Sequence, residues 1–192
     1  MPALLLASSS PYRRELLARL GLPFDCASPQ IDESPLPGES AEALCQRLAE
    51  SKARALADDY PDHLIIGSDQ VLLLDGEPVS KPGAHSAAAA QLRRCSGQRI
   101  RFSTAICLFN SKTKRLQTAI EPFEVIFRQL DDAAIERYLR AEQPYDCAGS
   151  FKSEGLGISL FAALQGDDPN SLIGLPLIRL CNMLRAEGIQ VP

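Results

Sequence analysis

Asp69 lies inside Leu64-Ile-Ile-Gly-Ser-Asp-Gln-Val-Leu-Leu-Leu74, a stretch that is otherwise almost wholly apolar. Such a run reads as a strand buried on both faces. A carboxylate placed there is costly unless it meets a cation, a metal or hydrogen-bond donors. Two readings are open: Asp69 caps a local turn, or it stands in a cleft where its charge is used. Elsewhere the sequence carries cations in equally awkward places. Arg13 shares a helical stripe with Leu16, Leu17 and Leu20, and Lys52 projects from the apolar face formed by Ala41, Leu44, Cys45, Leu48, Ala49, Ala55 and Leu56. Lys81 precedes Pro82, just beyond the Asp69 strand, and Glu33 sits in the acidic loop Ile31-Asp-Glu-Ser-Pro35. Each has a plain explanation. Arg13 and Lys52 can lay their stems over apolar surface with the charge in water, Lys81 can be an ordinary surface lysine, and Glu33 a solvated loop acid. Taken together, cations and carboxylates from separate elements suit phosphoryl chemistry. The cations would hold a polyphosphate, and the carboxylates would bind a divalent ion, activate water, or both. Neither GxxxxGK[ST] nor GxGxxG occurs, so the phosphate site is of another kind.

The elements that must position these residues can be read from periodicity and punctuation. Residues 3–7 form a first strand. Ser8-Ser9-Ser10-Pro11 leads into a helix reaching about Leu20, with Ser10 as N-cap, Pro11 in the first turn and Gly21 as the stop. That loop and helix start, with free N–H groups beside Arg13, make a ready anion site. A short strand at 24–27 and a loop over 29–38 precede a helix capped by Ser40, running from Ala41 to about Asp58. The Asp69 strand ends in a hairpin-type turn at Asp75-Gly76. Beyond it come a helix near 86–94, strands at 99–110 and 116–127, and a helix from about 130 to 142. A loop over 145–157, a strand at 158–164, a polar stretch over 165–170 and a helix from about 175 to 187 complete the chain. Interleaved helices and strands give an α/β class with a mixed sheet, and no internal repeat or low-complexity segment is present.

Bulk composition narrows the function. The chain has 192 residues, 45% hydrophobic and 23% charged, with a formal net charge of -4, as expected of one sizeable soluble globular domain. That charge and a pI near 5.3 argue against a binder of nucleic-acid polymers. Six scattered cysteines and two histidines form no metal-ligand pattern. The thiols read as mostly buried small hydrophobes in a reducing cytoplasm. No apolar run is long enough to span a membrane, and the short apolar N-terminus lacks the basic leader of a signal peptide.

Leu6-Ala-Ser-Ser-Ser-Pro-Tyr-Arg-Arg-Glu-Leu-Leu17, Ile31-Asp-Glu-Ser34, Leu48-Ala-Glu-Ser-Lys-Ala53, Gly67-Ser-Asp-Gln-Val71, Lys81-Pro82 and Gly174-Leu-Pro176 resemble, in order and spacing, the Maf family of nucleoside triphosphate pyrophosphatases. The resemblance covers nearly the whole chain. It implies a single domain with a two-lobed α/β fold around a central cleft, related to the inosine triphosphate pyrophosphatases. It implies hydrolysis of a nucleoside triphosphate to the monophosphate and diphosphate with a divalent cation (Mg²⁺, Mn²⁺ or Co²⁺). Phosphate binding is implied for Ser8, Arg13, Lys52 and Lys81. Metal-linked roles are implied for Glu33 and Asp69, with Asp69 as the proton acceptor.

The stretch Asp146-Cys-Ala-Gly-Ser-Phe-Lys-Ser-Glu-Gly155, with Gln70 after Asp69, resembles the branch of the family that acts on 7-methyl-GTP. The pyrimidine-nucleotide branch has Asp-Thr and Asp-Lys-Ala-Gly at these places. Tyr12, Gln70 and Glu154 stand at the specificity positions. A cationic methylated guanine can stack on Tyr12, its edge N–H groups can donate to Glu154, and Gln70 offers both donor and acceptor. The alternatives are a dTTP/UTP or general triphosphate pyrophosphatase, and a nucleotide-binding regulator of cell division. The partner expected is a nucleoside triphosphate, with no nucleic-acid polymer and no membrane. A homodimer paired along the strands at 99–127 is a candidate assembly.

Overall fold

The computed structural model describes residues 2–191. The first strand, β1 (Ala3–Ala7), is buried from Leu4 onward. The first helix, α1 (Pro11–Ala18), is capped by Ser10, whose hydroxyl oxygen accepts from Arg13 N–H at 3.4 Å. Gly21, at φ +67°, turns the chain after the helix into β2 (Phe24–Ala27). Ser40 caps α2 (Ala41–Arg54), accepting from Ala43 N–H at 3.2 Å. Then comes β3 (His63–Leu74), which holds Asp69. Asp75 and Gly76 both take positive φ and fold β3 back on the two-residue β4 (Glu77–Pro78). The remaining elements are α3 (His85–Cys95), β5 (Arg99–Asn110), β6 (Leu116–Phe127), α4 (Asp132–Glu142), β7 (Phe161–Gln165), α5 (Pro169–Ile173) and α6 (Leu177–Ala186).

The α/β class holds, with a mixed seven-stranded sheet in the order β2-β1-β3-β5-β6-β7 and β4 on β3. β1 runs parallel to β2 and β3, and β6 is antiparallel to β7. No helix among the described residues is long and apolar enough to cross a membrane. The chain divides into two compact units. One comprises the chain up to Gln70, Ser103–Glu121 and the chain from Asp168 on; the other comprises Val71–Phe102 and Pro122–Asp167.

In the first unit, strand alternation sorts the core. Leu4, Leu6, Leu64 and Ile66 join Leu16, Leu17, Leu180 and Leu184 in one buried cluster, so these strand positions face α1 and α6. The intervening positions face α2. At Gly67 the helix comes so near that a Cβ would lie 2.0 Å from the carbonyl oxygen of Ala49. In the second unit, Phe102, Phe127, Phe151 and Phe161 form edge-to-face contacts with ring centroids 5.0–5.6 Å apart, and α3 packs on α4.

Several expectations need correction. The helix α2 ends at Arg54 rather than near Asp58, so Ala55, assigned to the apolar face, lies beyond it as the cap and is exposed. The strand expected at 158–164 begins at Phe161, because Leu156–Leu160 coil into a 3₁₀ turn that leaves Ile158 53% exposed. The polar stretch before residue 170 contains the start of α5, with Asp168 as cap and Pro169 at its first position. The last helix starts at Leu177, after Pro176. Cys45, Cys95 and Cys107 are buried, but Cys26 is exposed and Cys147 and Cys181 are half-buried. The proposed dimer edge fails for β5, which lies between β3 and β6, and for Glu124–Phe127 of β6, which β7 covers.

Gly67→Ala should cost about 1–3 kcal/mol, the usual penalty for overpacking, because its methyl group must push α2 away. Urea denaturation of the variant measures this.

Candidate functional site

The close approach of α2 to Gly67 decides the position of Lys52, one helical turn beyond Ala49. Lys52 is 8% exposed. Its Nζ lies 2.7 Å from Asp69 Oδ1 and 3.0 Å from Glu33 Oε1. The awkward carboxylate and the awkward lysine are therefore each other's partner. Such a pair is tolerated when buried because each charge is compensated, and removing one partner exposes the cost of the other.

Asp69 follows the last paired residues of β1 and β3, Leu6 and Ile66. The parallel neighbour has ended, and Ser8, Ser9, Ser10 and the start of α1 follow it. This is the carboxyl end of parallel strands, where open α/β sheets place their ligands. Ser8 Oγ accepts from Ser10 N–H at 3.1 Å, which shapes the loop and leaves the Ser8 hydroxyl proton for another acceptor. Tyr12 is half-buried in the first turn.

Arg13 Nε donates to the carbonyl of Gly174 at 2.8 Å. The same carbonyl accepts from Ser68 Oγ at 2.9 Å. The guanidinium is thus held by its Nε, and no described residue takes up its Nη groups. By surface area Arg13 is half-buried, yet its surroundings are dense enough that desolvation, opposed by Asp69 and Glu33, lowers its pKa. An arginine stays charged under such a shift, so its free N–H groups favour an anion.

Glu33 sits on a loop that Arg47 anchors. Arg47 donates to the Ser34 carbonyl at 2.9 Å and pairs with Glu39 at 2.6 Å. Glu39 in turn accepts from Leu36 N–H at 3.0 Å. The hydrogen bond from Arg47 holds the Glu39 carboxyl down at about 2. Cys45 Sγ–H donates to the Asp69 carbonyl at 3.1 Å. Burial first, then Asp69, pushes that thiol up to about 12, so it remains a neutral donor.

Gln70 and Asp69 point to opposite faces of β3. Gln70 Nε2 donates to the carbonyls of Ser171 at 2.8 Å and Leu172 at 3.2 Å, beside α5. Lys81 and Glu154 belong to the second unit. Lys81 is exposed between β4 and α3, and Glu154 is exposed and accepts from Ser153 Oγ at 3.3 Å. Among the described residues no group of three or more His, Cys, Asp or Glu side chains is placed to hold a metal. Glu33 and Asp69 nevertheless bring hard oxygen donors to the same ammonium, Lys52 Nζ. Two carboxylates completed by phosphate oxygens and water are a usual setting for Mg²⁺. The donor set fits a divalent cation arriving with a nucleotide better than one caged by protein alone.

The Maf-like protein family profile matches residues 3–187. The chain belongs to the Maf family. Among its Maf-like relatives, a protein of Pseudomonas syringae pv. tomato is 62% identical and one of Pseudomonas aeruginosa 59% identical, each over 192 residues and all of both chains. One of Pseudomonas fluorescens is 61% identical over the same span. All three relatives carry the name 7-methyl-GTP pyrophosphatase.

Sequence reading passed over Ser68 and Asp168. Ser68 stands two residues before Gln70, and this alternation of polar residues within an apolar strand was the available signal. Asp168 is fully buried; it accepts from Asn170 N–H at 2.9 Å and from Ile178 N–H at 2.7 Å, and so ties the starts of α5 and α6 together. The Asp-Pro helix-start pair announced it.

At pH 8 a thiol reagent should label Cys26 quickly and reach Cys45, Cys95 and Cys107 only on unfolding. The folded chain keeps those three protons up to about 12, whereas an unfolded thiol ionises near ~8.5. Folding stability therefore falls as pH rises across that interval. At the acid end the sign reverses. The contribution of Glu39 is present above its ordinary value of 4.5 and disappears as pH falls through about 2. Arg47→Ala should flatten that acid limb, as read from stability against pH.

Proposed function

We propose that this chain hydrolyses 7-methyl-GTP to 7-methyl-GMP and diphosphate, as a cytoplasmic housecleaning enzyme of the nucleotide pool. The observation that carries the reading is the Lys52 ammonium held between Asp69 and Glu33. A mere binding site does not need a half-buried carboxylate beside a buried lysine, whereas hydrolysis needs a base. The full-length relatives named for this activity support the choice of substrate.

In the proposed reaction, water attacks the α-phosphorus in line with the bridge to the β-phosphate. Asp69 accepts the water proton as the new P–O bond forms. The Pα–O–Pβ bridge breaks, and diphosphate leaves with the bridging oxygen. Lys52 and Arg13 neutralise the charge that develops on the phosphate oxygens. Ser8 donates a hydroxyl to the same chain of phosphates. A divalent cation held by Glu33 and Asp69 would screen the triphosphate and lower the cost of the leaving charge. Lys81 as a phosphate contact and Glu154 as an acceptor for the base rest on the family resemblance. Tyr12, in the turn next to Arg13, supplies an aromatic face for the cationic ring.

A panel of triphosphates assayed for diphosphate release tests the reading. The expected result is a preference for 7-methyl-GTP over GTP, dTTP, UTP and CTP. A preference for a pyrimidine would overturn the choice of base. Asp69→Asn should lower kcat by on the order of 10²–10⁴-fold, the usual worth of a positioned base, with cooperative unfolding retained. Normal turnover by that variant would remove Asp69 from the mechanism.

A further inference from the structure

We infer that Gln70 shows the base a fixed hydrogen-bond acceptor, and that Thr104 is the positioning residue that fixes it. The inference rests on the proposed reading of Gln70 as a residue that meets the base. It goes further by stating which end of the amide is offered and what holds it.

Three acceptors surround Gln70 Nε2. The Ser171 carbonyl is 2.8 Å away, the Leu172 carbonyl 3.2 Å and Thr104 Oγ1 2.9 Å. The two carbonyls can only accept. Thr104 Oγ1 donates its one proton to the Ser171 carbonyl at 2.8 Å, so towards Gln70 it also presents only lone pairs. A flipped amide would set Oε1 against the Ser171 and Leu172 carbonyls, and Thr104 could donate to it only by giving up its own bond to Ser171. One orientation therefore remains, and it is set by chemistry rather than by side-chain shape.

The cradle is stiff. Thr104 and Ser171 are fully buried. Ser171 Oγ donates to the Asp168 carbonyl at 2.6 Å, and the Asp168 carboxylate accepts from the N–H groups of Asn170 and Ile178. Gln70 itself is half-buried. No described residue donates to its Oε1. The donors of this glutamine are consumed internally, and its acceptor is left for a ligand.

The consequence is a rule for the base. The atom that meets Gln70 must be an N–H, either a lactam N–H or an exocyclic amino group. A bare ring nitrogen in that place meets lone-pair repulsion. A site built to accept a hydrogen bond rejects the analogue that lacks the donor.

Two analogues of 7-methyl-GTP separate the possible donors. 7-Methyl-ITP lacks the exocyclic amino group, and 1,7-dimethyl-GTP has its ring N–H blocked. For the wild-type protein, kcat/KM for at least one of them should fall by roughly 10–100-fold, in the range expected for a lost donor at a polar site. Thr104→Val removes the hydroxyl at nearly constant volume. It should shrink that discrimination several-fold, chiefly through KM for 7-methyl-GTP, while Thr104→Ser restores it. The lock is read separately, without substrate, from the exchange of the Gln70 side-chain amide protons. These should exchange slowly in wild type and in Thr104→Ser, and quickly in Thr104→Val. Discrimination unchanged in Thr104→Val, or fast exchange in wild type, would overturn the inference. Absence of diphosphate release from every triphosphate would instead overturn the enzymatic reading, and the exchange data would still decide whether Thr104 locks Gln70.

Discussion

The site depends on a missing side chain. Because position 67 is glycine, the carbonyl of Ala49 can approach to where a Cβ would otherwise stand, 2.0 Å away. That approach lets a lysine on the next helical turn reach a carboxylate two residues further along β3. Both partners leave water to do so, and desolvating two charges is costly. The 2.7 Å contact with Asp69 and the 3.0 Å contact with Glu33 offset that cost. The ion cluster is thus a consequence of backbone packing, and any change that moves α2 changes the electrostatics of the site.

The period of two along β3 then distributes the roles. Odd-numbered positions from Ile65 to Asp69 look towards α2, where Lys52 waits. Even-numbered positions from Leu64 to Ile66 look into the apolar core, and further on Ser68 and Gln70 reach the Gly174 and Ser171 carbonyls. Gly174 ties this face of β3 to α1, since its carbonyl takes both Ser68 and Arg13. Asp168 makes this possible by capping two successive helices at once. The segment after β7 is therefore held rigidly beside Gln70.

Much of this was legible in the residues. Helix starts with strong caps, such as Ser10 and Ser40, and the hairpin turn at Asp75-Gly76 follow from local chemistry alone. Lys52 and Arg13 stood out because a charge on an apolar helical stripe has few explanations. Other features were out of reach for physical reasons. Periodicity cannot tell a short apolar strand from a 3₁₀ turn, and so Ile158 was misplaced. Burial of Thr104 and the acceptor ring around Gln70 depend on residues 34 and 101 positions apart. Donor and acceptor counts of that kind emerge only when distant segments meet. Glu33 looked like a solvated acid, and by exposure it is one; its importance lies in the ammonium beside it.

The central claim is that Lys52 and Asp69 act as one unit. A double-mutant cycle of Lys52→Met and Asp69→Asn, read as kcat/KM for 7-methyl-GTP, addresses it directly. Residues that work as a unit show strongly non-additive losses. The expected result is a double variant slowed far less than the product of the two single losses. A double variant slowed by the product of the two single losses would contradict the claim, because Lys52 and Asp69 would then contribute independently.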